Sequence, residues 1–378
     1  MEIYVVREGD TAETIADAYG MAVEQLIYDN QLVYPYELAV GQALLLDVGN
    51  RNPSGTISVG GYAYPFISSW VLDETLPFLT DLFIFSYGFT AEGYLLPPIL
   101  DDEWMIQAAE SFGTNAILTL TPFGADGNFN NQLIHAVVNN QEAVNTLIQE
   151  MLFVIREKGY RGVDIDFEYI LAEDRDAFTA FVWNVAEVMR ANGYQTSVAL
   201  APKTSADQEG LLYEGKDYRA LGEVADFVLL MTYEWGYTYG PPMAVAPINQ
   251  VRRVVEYAIT EIPANKIHLG IPNYGYDWPL PFIRGVTRAT TINNIQAVRI
   301  AIENGAVIQF DPVAQSPFFY YWLEDVEHEV WFEDVRSLQA KFDLIREYEL
   351  RGCGYWQIMQ WFRANWLLLQ NNFYILKQ

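Results

Sequence analysis

Cysteine is nearly missing: Cys353 stands alone in 378 residues, so no internal disulfide and no cysteine-based zinc site can form. Histidine is scarce too. His135, His268 and His328 lie far apart, with no metal-ligand spacing, and each reads as a surface or packing residue. No metal and no cofactor is expected. Basic residues number 22 against 49 acidic ones, a formal net charge of −27. Scattered without long runs, they offer no stripe to neutralise phosphates, which argues against nucleic acid as a partner. The same charge is repelled by an anionic membrane surface, and no apolar run approaches the roughly 20 residues of a membrane span. No secretory leader is expected, because Met1 is followed at once by Glu2 and the strand-like Ile3-Tyr4-Val5-Val6. A neutral polymer such as a glycan suits this charge best.

Apolar and aromatic residues are what the chain has in plenty. Hydrophobic residues make up 51% of it and aromatics 15%, enough for a large core. Ten Trp and 25 Tyr fit either a heavily aromatic interior or exposed ring platforms of the kind on which sugars stack. The length suits a barrel plus a small module.

Residues 1–48 read as that module. A short strand, Ile3 to Val6, meets the turn Glu8-Gly9-Asp10, and Thr11 is placed to cap a helix that runs to Tyr19 and stops at Gly20. A second helix follows from Val23 to about Asn30, and Leu44-Leu45-Leu46 suggest a returning strand. Tyr4, Val6, Gly9, Asp10, Thr11, Ile15, Ala16, Tyr19, Gly20, Leu26, Asn30, Gly41, Gln42 and Leu44 in this βααβ order resemble the LysM family. That resemblance implies binding of glycans containing N-acetylglucosamine; a structural cap on the barrel is the other reading.

Residues 49–56 (GNRNPSGT) form a polar linker. From 57 to 378, short apolar runs alternate with amphipathic stretches, the pattern of a (β/α)8 TIM barrel. Candidate strands are Ile57–Tyr62, Asp81–Tyr87, Ala116–Thr121, Gly162–Glu168, Thr196–Ala201, Phe227–Thr232, Lys266–Pro272 and Gly354–Met359, and Asn140–Lys158 and Asp174–Ala191 show helical periodicity. The long gap before the last strand, about 279–329, reads as a small α+β insertion.

Chemistry concentrates in Gly162-Val163-Asp164-Ile165-Asp166-Phe167-Glu168. Alternate residues of a strand share a face, so Asp164, Asp166 and Glu168 point one way and Val163, Ile165 and Phe167 the other. An ordinary buried parallel strand is apolar on both faces. Three converging carboxylates repel one another and hold at least one proton near neutral pH, the state a general acid needs. Glu168 lies at the C-terminal end, where barrels place their chemistry.

This stretch resembles the strand-four motif of the family 18 glycoside hydrolases, Asp-Gly-x-Asp-x-Asp-x-Glu, at Gly162, Asp164, Asp166 and Glu168. Met231-Thr232-Tyr233, Gly270-Ile271-Pro272-Asn273-Tyr274-Gly275 and Trp356 match further points of the same family. Two positions depart. Arg161 replaces the first Asp, on the face opposite the carboxylates, so a structural consequence is expected there. Glu234 stands where the family carries Asp.

The resemblance implies a substrate-assisted mechanism, in which the substrate's 2-acetamido oxygen attacks C1. It gives Glu168 the acid–base role, Asp166 the acetamido N–H, Tyr233 the acetamido oxygen, and Asp164 the tuning of Asp166 from beneath. Trp356 is expected to floor the subsite, Met231 and Glu234 to contact substrate, and Tyr62, Tyr274 and Tyr276 to form its walls. The LysM-like module, the missing leader, Arg161 and the run Met231 to Gly236 together resemble the glucosaminidases of bacterial spore peptidoglycan. That likeness implies synthesis in the cytoplasm, deposition in the spore and cortex peptidoglycan as substrate; a monomer is expected. Chitin is the alternative substrate, and a catalytically silent glycan-binding spore protein the third reading.

Overall fold

The computed structural model describes residues 1–377 apart from 50, 52 and 124–126. Two residues of the 49–56 linker, and residue 378, therefore lie outside the described residues.

In the N-terminal module, strands Glu2–Val5 and Ala43–Leu46 pair antiparallel, with Glu2 opposite Leu46. Thr11 and Thr14 cap the helix Ala12–Tyr19 reciprocally, each side chain bonding the other's backbone N–H at 3.2 and 2.9 Å. Gly20 ends it at φ 65°, a left-handed conformation that glycine adopts without steric cost. The second helix is Val23–Asp29. Val6, Ile15, Leu26, Leu44 and Leu46 fill a small core of the module's own.

The module is docked on the barrel. Arg363 Nε donates to the buried carboxylate of Asp29 at 2.9 Å, and the Gln31 side chain bonds the backbone of Trp361 and Arg363. Ile308 N–H donates to the Val40 carbonyl at 2.9 Å. A Cβ on Gly41, at φ 84°, would lie 1.8 Å from the Ile308 carbonyl oxygen, so only glycine allows this approach.

Among the described residues, eight parallel strands close into a barrel: Thr56–Ala63, Asp81–Phe89, Asn115–Leu120, Gly162–Ile165, Gln195–Leu200, Phe227–Leu230, Ile267–Pro272 and Gly352–Trp356. Their two faces serve two layers. Tyr62, Phe83, Phe85, Ile117, Phe227 and Leu229 pack inside the barrel. Val59, Leu82, Leu118, Val163, Ile165 and Val198 join the larger core beneath the helices, which include Gln141–Lys158 and Arg175–Ala191. Between the last two strands a five-stranded antiparallel sheet, spanning Gly275–Trp331, and the helix Asn294–Glu303 form an α+β insertion. The fold is a TIM barrel with this insertion, preceded by a βααβ module.

Candidate active site

Regular pairing of the fourth strand stops at Ile165, but Asp166 N–H still bonds the Leu120 carbonyl of strand three at 3.0 Å. The chain then turns away, with Tyr169 at φ 56°. Alternation therefore carries through to Glu168, while Phe167 packs outward against Phe178 and Phe181. Arg161 lies at the opposite end of the strand, exposed, 3.9 Å from Glu110.

Asp164 is fully buried at the floor. Tyr62 donates to its Oδ2 at 2.8 Å, and Ser197, its register neighbour on strand five, donates to its Oδ1 at 2.6 Å. Burial pushes Asp164 up to about 6, against the pull of these two donors. Asp166, above it, is 6% exposed, and its Oδ1 accepts no hydrogen bond among the described residues. Burial raises its pKa well above the carboxylate range, with repulsion from Glu168 and Asp164 adding to the effect and Lys216 opposing it. Glu168 is raised by burial and by Glu234, and Lys216 again opposes. Tyr233 is held firmly protonated by burial and by the surrounding carboxylates. The cluster thus combines acids whose proton affinity is raised by burial and mutual repulsion, a buried carboxylate oxygen without a partner among the described residues, and a hydroxyl donor.

Strand seven makes room for Tyr233. A Cβ on Gly270 would sit 2.3 Å from the Leu230 carbonyl oxygen and 2.8 Å from the Tyr233 ring, so the glycine admits both the strand-six backbone and the phenol. Asp166, Glu168, Met231, Tyr233, Glu234 and Trp356 all line one cleft of about 570 Å³, in the range of small-ligand sites. Trp356 meets the Phe85 ring edge at 5.0 Å and the Tyr62 ring at 5.6 Å.

Of the three tyrosines expected as walls, Tyr62 lines the cleft, whereas Tyr274 and Tyr276 take other positions. Tyr62 contributes to the lining while almost fully buried, with its hydroxyl spent on Asp164. Tyr274 and Tyr276 stand behind Glu234 and donate to its Oε1 at 2.5 and 2.9 Å. The Glu234 backbone is left-handed, φ 66°, which costs about 1 kcal/mol or more for a residue with a Cβ. Those phenols offset it and fix where the carboxylate points.

Tyr64, Phe85, Phe123, Phe129, Tyr169 and Tyr237 complete the aromatic lining. For Tyr64 a signal existed, since it lies two residues beyond Tyr62 on the same strand face. Ser197 and Lys216 also escaped sequence reading; nothing local marks either one.

The profile of the glycosyl hydrolases family 18 matches residues 113–360, and that of the LysM domain matches residues 4–47. A cortical fragment-lytic enzyme of Bacillus subtilis is 38% identical, the match covering 100% of this chain and 99% of that protein. The crystal structure of the spore cortex-lytic enzyme SleL of Bacillus megaterium superposes with a TM-score of 0.94 at 33% identity, over 100% of this chain and 99% of that one. Its counterpart from Bacillus cereus gives 0.83 at 36%, over 99% and 87%. With relatives similar from end to end and the strand-four carboxylates inside the matched span, the chain belongs to the glycosyl hydrolases family 18 and carries a LysM domain at its N-terminus.

Proposed function

We propose that the chain is an N-acetylglucosaminidase that cleaves β-1,4 bonds on the reducing side of N-acetylglucosamine in spore cortex peptidoglycan. The observation that carries this reading is the pairing of a buried, unpartnered Asp166 Oδ1 with a protonated Tyr233 in one cleft. An amide offers one N–H donor and one carbonyl acceptor. Asp166 takes the N–H of the 2-acetamido group and Tyr233 donates to its oxygen, turning that oxygen toward C1. Glu168, whose affinity for its proton burial raises, protonates the departing glycosidic oxygen as the acetamido oxygen attacks. The same carboxylate then takes a proton from the water that opens the oxazolinium ion. In its ionised form Asp166 stabilises the positive ring in between. Trp356 supplies an apolar floor to the sugar ring.

Cortex peptidoglycan is favoured as substrate by the end-to-end similarity to cortical fragment-lytic enzymes, and the spore is the proposed location. The LysM domain, residues 1–48 joined to the barrel at 57 by the linker, holds the glycan polymer near the cleft.

Two measurements test the reading. Cortex fragments should be turned over with a higher kcat/KM than chitin oligosaccharides; the reverse order makes the protein a chitinase. Glu168→Gln should lower kcat by about 10²–10⁴-fold while oligosaccharide binding survives. Near-native turnover in that variant removes Glu168 from the acid role.

A further inference from the structure

The loop from strand five to the helix Tyr218–Val224 carries two interior lysines with different surroundings. Lys203 is a brace: its ammonium donates to the carbonyls of Ala206 and Lys216 at 3.3 and 3.2 Å, tying the loop to itself. Lys216 is 1% exposed and donates to the Ala199 carbonyl at 3.1 Å. Among the described residues it forms no direct ion pair, an arrangement that is costly for a buried cation unless charge nearby offsets it.

That charge lies on strand four. Ile165 pairs with Val198, so one step further along the parallel ladder Asp166 flanks Ala199. Ala199 itself lines the catalytic cleft, as does Leu212 of the lysine's own loop. The ammonium is thus fixed to the backbone of the residue beside Asp166, on the inner side of the cleft wall. Facing it are Asp166, Glu168 and Asp164 of strand four, whose charge acts against the lowering of the Lys216 pKa by burial; Tyr233 and Glu234 line the same cleft. On its own loop, Asp217 is turned away into a 2.6 Å contact with Arg175. At low effective dielectric an opposite charge several ångströms away still acts strongly.

We propose that Lys216 is a positioning residue whose buried ammonium sets how many protons the Asp164–Asp166–Glu168 cluster holds, keeping Asp166 ionised while Glu168 carries the proton it donates. The inference rests on the acid–base reading of Glu168. Without the cation, three buried acids would relieve their repulsion by taking up a further proton. Asp166 is the most exposed to that outcome, because repulsion from both neighbours adds to its burial. A neutral Asp166 cannot stabilise the oxazolinium ion. The same ammonium lowers the cost of the charge that Glu168 acquires on giving up its proton.

The test is the pH profile of kcat/KM on a soluble oligosaccharide for the full chain. Lys216→Met should move the acidic limb upward by about one unit or more and lower the maximum by about tenfold. Lys216→Gln keeps a donor for the Ala199 carbonyl and removes only the charge, so it should show the same displacement and carries the test if the Met variant does not fold. Lys216→Arg should restore the limb to its native position even where its kcat is reduced. Profiles of the neutral variants that overlay the native one, at whatever height, would overturn the proposal, as would loss of folding in both neutral variants. Failure of the underlying reading is separate: it would appear as persistent turnover in Glu168→Gln, whatever the Lys216 variants do.

Discussion

Tyr62 on the first barrel strand and Asp164 on the fourth meet across the barrel interior, phenol to carboxylate, at 2.8 Å. With Ser197 on the other oxygen, both carboxylate oxygens of Asp164 are held by hydroxyl donors. Burial alone would drive this acid further up; the two donors keep it near 6. Asp166 lies directly above and is raised in part by Asp164. The charge of the deepest acid is therefore set in part by two hydroxyl side chains from other strands of the barrel.

Tyr62→Phe isolates that effect, because its ring would remain stacked on Phe83 at a centroid distance of 4.6 Å. Asp164 should then titrate above about 6, and kcat should fall by about tenfold as one hydrogen bond to a charged group is lost. Carbon-13 titration of labelled aspartates reads the midpoint. An unmoved Asp164 midpoint would show that the phenol does not tune it.

Asp166 and Tyr233 should act together on one group. A thiazoline analogue of N-acetylglucosamine resembles the bicyclic intermediate and should inhibit at concentrations well below those of substrate. Asp166→Asn and Tyr233→Phe should each weaken that inhibition by about tenfold to a hundredfold, the worth of one hydrogen bond involving a charge. Inhibition no better than that of the free sugar, or equal in all three proteins, would point to an enzyme nucleophile instead.

Stability should carry a signature of His268. The imidazole is fully buried, both its nitrogens lack protein partners among the described residues, and it lies 4.6 Å from the Phe227 ring. Burial pushes its pKa down to about 3 from an ordinary value of 6.5. Between those values the unfolded chain binds the proton and the folded one does not. The contribution to stability is thus full above about 6.5 and declines as pH falls toward about 3. Urea unfolding at neutral and mildly acidic pH should show this slope in the native protein and a flatter one in His268→Leu. Equal slopes would mean that the histidine is charged in the fold.

Much of this architecture can be read along the chain, because its causes are local. Thr11 and Gly20 bracket a helix with a cap and a left-handed stop, and the alternation of Asp164, Asp166 and Glu168 with Val163, Ile165 and Phe167 sorts the two faces of a strand. What escaped depends on residues brought together by closure of the barrel. Tyr274 and Tyr276 look like cleft walls in sequence, but the left-handed turn at Glu234 draws its carboxylate onto their hydroxyls. Lys216 sits in a polar, glycine-containing loop with no local signal for burial, and only the folded loop buries it. Gly41 reads as part of the module's own turn, yet its missing side chain is what admits Ile308 of the insertion.

The most direct test of the central claim is the chemistry of the new chain end. A muramic sugar whose amide is locked in a lactam ring cannot swing that amide beneath C1, whereas N-acetylglucosamine can. If Asp166 and Tyr233 hold a free acetamido group, borohydride reduction and mass spectrometry of cortex digests should find N-acetylglucosaminitol at every newly formed end. Reduced muramitol ends, or anhydro-muramic ends, would contradict the account.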